Sequence, residues 1–290
     1  MDETFPEITS VPPEASIANE FKRTLNSQGF AFQEAVARRI ASVETVTEWD
    51  LWLPEFPVAV HEQDTKIDIT LVNKDADTYI ICECKRANPA ISNWCFAKSR
   101  FPVRRTWLAH RAYCETLLDR GDGVIGVHVK ELDPLADLFQ IAVEARTHKT
   151  GDPAGKGKGQ IEETAGQVCR GLNGLIEFFY KREMVKTQGK REIAFLPMIV
   201  TTAKLYVTDD DLSVASLTTG KVGQASLSVR EVKWLWYQYH QSPALKHNAR
   251  VNNPMMGIKD ILFYEFVRTI AVVTPEGLGD FLTQRFWSPR

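Results

Sequence analysis

Hydrophobic and polar positions alternate with a changing period along this chain, and the period separates its helices from its strands. From Ile17 to Val43, the residues Phe21, Leu25, Phe30, Phe32, Val36 and Ile40 recur on or near one helical face, with Gly29 in their midst. The stretch Thr45–His61 carries Trp52, Leu53, Phe56, Val58 and Val60, but Pro54 and Pro57 confine it to one or two strands at a sheet edge. Lys66–Val72 and Thr78–Cys84 then read as strands around the polar stretch Asn73-Lys74-Asp75-Ala76-Asp77, the signature of a hairpin. After Pro89 the pattern predicts a helix interrupted at Pro102, then a strand over Gly123–Val129, then a helix capped by Asp133 with Pro134 at its first position.

Ile161, Val168, Leu172, Leu175, Ile176 and Phe179 define a long amphipathic helix over Gln160–Lys181. Ile193–Val207, Leu227–Tyr239 and most of Asp260–Val273 are β-forming, and Thr274-Pro275 opens a last helix reaching to about Phe286. Strands alternating with helices predict an α/β layered domain. No internal repeat is visible, so residues 17–290 are expected to form one domain, with a core over about 20–210 and further strands and a helix over 221–290. An acidic, Pro-rich arm (1–16) precedes it, and a mobile basic loop (147–159) interrupts it.

Composition narrows the class. Hydrophobic residues at 44% and charged residues at 25% of 290 exclude wholesale disorder and fibrous repeats. No apolar run approaches the ~18 residues of a membrane span, and the first 16 residues lack the apolar core of a signal peptide. Five cysteines without a CxxC pair point to reduced thiols and a cytoplasmic setting.

The net charge is only −2, yet Cys84–Cys114 contains no acidic residue and seven basic ones: Lys85, Arg86, Lys98, Arg100, Arg104, Arg105 and Arg111. Five aromatics are interleaved among them. Such clustering is the footprint of a phosphate-binding surface; a solvated helix face is the plainer alternative. The stretch GDPAGKGKG lacks the spacing of a nucleotide-binding P-loop, and no GxSxG nucleophile motif is present.

The chemistry concentrates on the hairpin. A turn symmetric about Asn73–Thr78 pairs residues whose numbers sum to 151, which sets Asp68 opposite Glu83. Their Cβ atoms would lie roughly 4.5–5.5 Å apart, where like charges oppose sheet formation unless something compensates. Glu83 and Lys85 share one face, as do Lys66, Asp68 and Thr70, while Cys82 and Cys84 point away into core packing. Two converging carboxylates suit a hard divalent cation.

Four [DE]xK triplets occur, at Glu20, Asp64, Glu83 and Glu231, but only Glu83-Cys84-Lys85 ends an apolar strand with an acid opposite it. Asp68 followed by Glu83-Cys84-Lys85 resembles the PD-(D/E)XK phosphodiesterase superfamily, with Ile67 standing where that family often has proline. The resemblance spans about residues 20–210. It implies a restriction-endonuclease-like fold, a three-layer α/β/α arrangement around a central mixed sheet, and a metal-dependent endonuclease acting on DNA in defence or repair.

It further implies Mg²⁺ or Mn²⁺ held by Asp68, Glu83 and the Cys84 backbone carbonyl, with Glu34 as a further acid. Lys85 would orient the attacking water and neutralise phosphate charge, and Gln160 or Gln167 would reach the site as accessories. Lys98, Arg100, Arg104, Arg105, Lys156 and Lys158 become the expected DNA contacts, and a homodimer or a separate partner would supply specificity. Two other readings stay open: a non-catalytic DNA-binding module on the same fold, and a regulatory interaction protein with a basic surface.

Overall fold

The computed structural model describes residues 13–43, 48–99, 111–119, 125–132, 137–145, 159–182, 192–210, 212, 215–222, 227–249 and 264–286. The expected contacts Arg100, Arg104, Arg105, Lys156 and Lys158 lie outside them, as do most of the expected N-terminal arm and nearly all of the basic loop.

Gly29 decides how the chain begins. Its φ of +82° is open to glycine and strained for other residues, so the expected single helix is two: α1 (Pro13–Gln28) and α2 (Phe30–Val43). The break also divides the apolar stripe. Val36 and Ile40 of α2 are buried, whereas Ile17 and Phe21 of α1 are exposed.

Next come β1 (Trp49–Val60), β2 (Gln63–Asn73) and β3 (Thr78–Lys85) as an antiparallel meander. The β2–β3 turn is fixed by Asn73, whose Oδ1 accepts from the backbone N–H groups of Asp77 and Thr78 at 3.0 and 2.9 Å. This sets the register at Ile69↔Cys82 through Val72↔Tyr79, every pair summing to the expected 151.

The helix expected after Pro89 is instead a single 3₁₀ turn followed by strand β4 (Asn93–Ala97). Strand β5 (Tyr113–Asp119) pairs with β6 (Ile125–Glu131). Residues 133–136, where a capped helix was expected to start, are outside the described set; the chain continues as β7 (Leu138–Phe139) and β8 (Ile141–Ala145). Helix α3 occupies the expected Gln160–Lys181.

The run Ile193–Val207 divides into β9 (Glu192–Thr201) and β10 (Lys204–Thr208), which join different sheets. Strands β11 (Arg230–Val232), β12 (Trp234–His240) and β13 (Val267–Val273) and a short helix α4 (Leu278–Leu282) complete the described elements.

A nine-stranded mixed sheet is ordered β1-β2-β3-β9-β13-β12-β7, and the start of β9 also pairs with the β5–β6 hairpin. A second sheet is ordered β11-β10-β4-β8. The fold is therefore mixed α/β around a large central sheet. One of its faces packs against α3 and the small sheet through Ile81, Val168, Leu172, Trp94 and Leu205. The other packs against α2 and α4 through Ile80, Cys82, Ile40 and Phe281.

Helix α3 seats unusually close to the meander because two of its residues lack side chains. A Cβ on Gly171 would stand 3.0 Å from Ile67, and one on Gly174 only 2.7 Å from Val58. Among the described residues no helix is long and apolar enough to cross a membrane.

Candidate active site

The β2–β3 ladder ends at Ile69↔Cys82, and the same register carried one step further brings Asp68 level with Glu83. At this level strand alternation breaks. Ile69 and Leu71 pack in the α2 layer, but Ile67 crosses to the α3 layer, where regular alternation would have kept all three together. Glu55 on β1 falls opposite Asp68 in the β1–β2 register, between Phe56↔Ile67 and Pro54↔Ile69. Its φ is +52°, a left-handed backbone that costs a non-glycine residue about 1–3 kcal/mol and that clusters at functional sites. The kink lets Asp68 turn its carboxylate along the sheet, where Oδ2 accepts the Cys84 N–H at 2.8 Å.

Glu83 follows Ile81 onto the α3 side of the sheet, and Cys82 and Cys84 lie on the other, their sulfurs 3.9 Å apart. The expectation that these thiols are core packing matches this placement. A residue in an extended strand points its N–H and C=O to the same edge. The Cys84 carbonyl therefore faces β2 and Asp68, while the next carbonyl, of Lys85, turns the other way to accept from Thr202.

Asp68, Glu83 and Lys85 line one cleft of about 520 Å³, together with Gly29, Phe30 and Gln33 at the α1–α2 junction, Glu55, Arg86–Pro89, and Gln160 and Gln167 of α3. Gln33 reaches in from α2, its Nε2 donating to Glu55 Oε1 at 3.1 Å and to the Asp68 carbonyl at 2.8 Å. Lys66 also reaches Glu55 Oε2, at 3.1 Å. Lys85 Nζ lies 3.5 Å from Glu163 on the first turn of α3. Gln160 Oε1 accepts the Asn88 N–H at 3.0 Å, whereas Gln167 Oε1 is buried without a hydrogen-bond partner.

Electrostatics set the acids apart. Burial, then the neighbouring Asp68 charge, push Glu83 up to about 8, against relief from Lys85 and Arg170. Burial also raises Asp68, although the Cys84 N–H opposes this. Glu55 goes the other way, held below the usual carboxylate range first by its hydrogen bond from Gln33. At neutral pH the cleft thus contains an ionised acid beside two acids that resist sharing their charge.

The remaining expected site residues are dispersed. Glu34 lies on the exposed side of α2 and does not line the cleft; its neighbour Gln33 does. Lys98, an expected DNA contact, pairs with Asp209 at 2.7 Å and Asp137 at 2.9 Å, with Arg230 also on Asp137 at 2.7 Å. It ties together chain segments at the small sheet. Glu55, Gln33, Glu163 and Arg170 are additions that the sequence did not single out. For Glu163 a signal existed: on α3 it falls on the same face as Gln160 and Gln167.

Among the described residues no group of three or more His, Cys, Asp and Glu is placed to hold a metal ion. Of the three acids lining the cleft, Glu55 is engaged by Gln33 and Lys66, which leaves the Asp68 and Glu83 carboxylates and the Cys84 backbone carbonyl as donors. That suits Mg²⁺ or Mn²⁺, since Mg²⁺ commonly takes one or two protein carboxylates and completes its shell with water and substrate phosphate. It does not suit zinc, which favours His and Cys. Comparison with protein-family models, curated proteins and solved structures returns no match for this chain.

Proposed function

We propose that this chain is a metal-dependent endonuclease that hydrolyses DNA phosphodiester bonds, on a restriction-endonuclease-like core of the PD-(D/E)XK kind. The single observation that carries the reading is the meeting of Asp68 and Glu83 in one cleft beside Lys85, with Glu83 pushed to about 8 by burial and by Asp68. A fold gains nothing from forcing two acids together; a divalent cation removes the cost.

Asp68, Glu83 and the Cys84 carbonyl would hold Mg²⁺ or Mn²⁺. When bound, such an ion activates water and stabilises the charge that develops on phosphorus oxygens during in-line displacement. Lys85 supplies a cation on the same strand face as Glu83, where it offsets phosphate charge and orients the nucleophilic water by hydrogen bonding. Gln167 lines the same cleft, and its buried Oε1 is an acceptor left without a partner. Gln33 and Glu55 hold the backbone kink that aims Asp68.

The test is cleavage of supercoiled, linear and single-stranded DNA with and without Mn²⁺. The reading requires cleavage that EDTA, Asp68→Ala and Lys85→Ala each abolish. Salt-dependent DNA binding without turnover under any divalent ion would make the chain a binding module instead.

A further inference from the structure

We infer that Glu163 is a positioning residue that draws the Lys85 ammonium toward α3 and so keeps it off the Asp68–Glu83 carboxylate pair; this rests on the nuclease reading above. Lys85 and Glu83 lie two residues apart on one strand face, and a lysine stem is long and flexible enough to fold back onto a neighbouring acid. Both site carboxylates attract it. Left alone, Lys85 would neutralise the pair internally and occupy the place of the cation.

The contact that prevents this is across the layers. Glu163 Oε2 stands 3.5 Å from Lys85 Nζ, with the lysine side chain 21% exposed and the glutamate 54%. A pair this open contributes little to stability, so its value lies in direction. Seen along α3, Glu163, Gln167 and Arg170 succeed one another on one face at spacings of four and three. That face opposes the Glu83–Lys85 face of β3, and the close seating of α3 through Gly171 brings it within reach. Arg170 acts on Glu83 and Glu163 on Lys85. The helix thereby sets an opposite charge toward each of the two strand residues, although Lys85 also eases Glu83 and Glu163 opposes its charge.

The experiment is a double-mutant cycle on Mn²⁺ affinity, measured by calorimetry on the full chain, using wild type, E163Q, K85A and K85A/E163Q. Glu163→Gln is expected to weaken Mn²⁺ binding about tenfold in the presence of Lys85 and less than about threefold in the K85A background. E163D should recover most of the loss. In cleavage assays E163Q lowers kcat with little change in the KM for DNA. Equal Mn²⁺ affinity for E163Q and wild type, or the same loss in both backgrounds, overturns the positioning role while leaving the nuclease reading intact. A wild-type protein that binds no Mn²⁺ and cleaves no DNA overturns both.

Discussion

Two carboxylates withdrawn from water to different degrees are treated in opposite ways in this molecule. Glu115, on β5, is enclosed in the core with Arg268 of β13, their charged atoms 3.0 Å apart and both side chains 1% exposed. The guanidinium also donates to the Val267 carbonyl at 2.8 Å and stacks over Tyr264. Glu83 is only partly buried, and what the fold sets nearest it is another acid. Burial lifts both, Glu115 to about 7 and Glu83 to about 8; the arginine pulls the first down and Asp68 pushes the second further up. The core shows that this fold can neutralise a buried acid from within. In the cleft Lys85 and Arg170 offset only part of the cost, because a second acid stands beside the first.

The largest effect expected from breaking this contrast is on catalysis. Asp68→Ala leaves Glu83 alone and should reduce DNA cleavage about 10³-fold or more, a loss of several kcal/mol of transition-state stabilisation, read as single-turnover rate with Mn²⁺. In the core, Arg268→Met strands Glu115 and should destabilise the fold by about 3–5 kcal/mol, whereas the double variant Arg268→Met/Glu115→Leu recovers most of it. Chemical denaturation measures both.

A subtler outcome concerns pH. Glu83 titrates near 4.5 when unfolded and about 8 when folded, so the folded state holds the extra proton across that window. Stability of the cation-free protein must therefore fall as pH rises from about 4.5 to about 8, by up to about 1.4 kcal/mol per unit. Asp68→Asn keeps an acceptor for the Cys84 N–H and removes the opposing charge. It should flatten that slope, raise the melting temperature at pH 8 without cation, and abolish the stabilisation that Mn²⁺ gives the wild type.

The smallest effect separates neighbours on α2. Gln33→Ala removes two hydrogen bonds of about 1 kcal/mol each and should slow cleavage several-fold. Glu34→Ala should leave the rate unchanged in the same assay.

Legibility in the sequence followed the range of the interactions responsible. The β2–β3 register was readable because a local device, the Asn73 side chain bridging its own turn, leaves one symmetric pairing. Helix α3 was readable end to end because its apolar stripe runs uninterrupted over six turns. Strand β4 was hidden: Pro89 promised a helix but opens one 3₁₀ turn, and Asn93–Ala97 is made a strand by β8 and β10, distant in sequence. Glu55 was hidden for a different reason. Two flanking prolines were enough to predict an edge strand, but not the left-handed residue between them, Glu55, at the rim of the cleft. The pairing of Lys98 with Asp137 and Asp209 was likewise not legible, because both acids are remote along the chain.

Gly171 and Gly174 carry a consequence beyond packing. They act as the missing shims beneath α3: with nothing larger than hydrogen there, the helix settles onto Ile67 and Val58, and the depth of that settling sets how far Glu163, Gln167 and Arg170 extend over the strand ends. A methyl added at Gly174 would stand 2.7 Å from Val58, so the helix or the strand beneath it must give way. The reach of this cleft is thus tuned by atoms the chain omits, at positions that do not themselves line it.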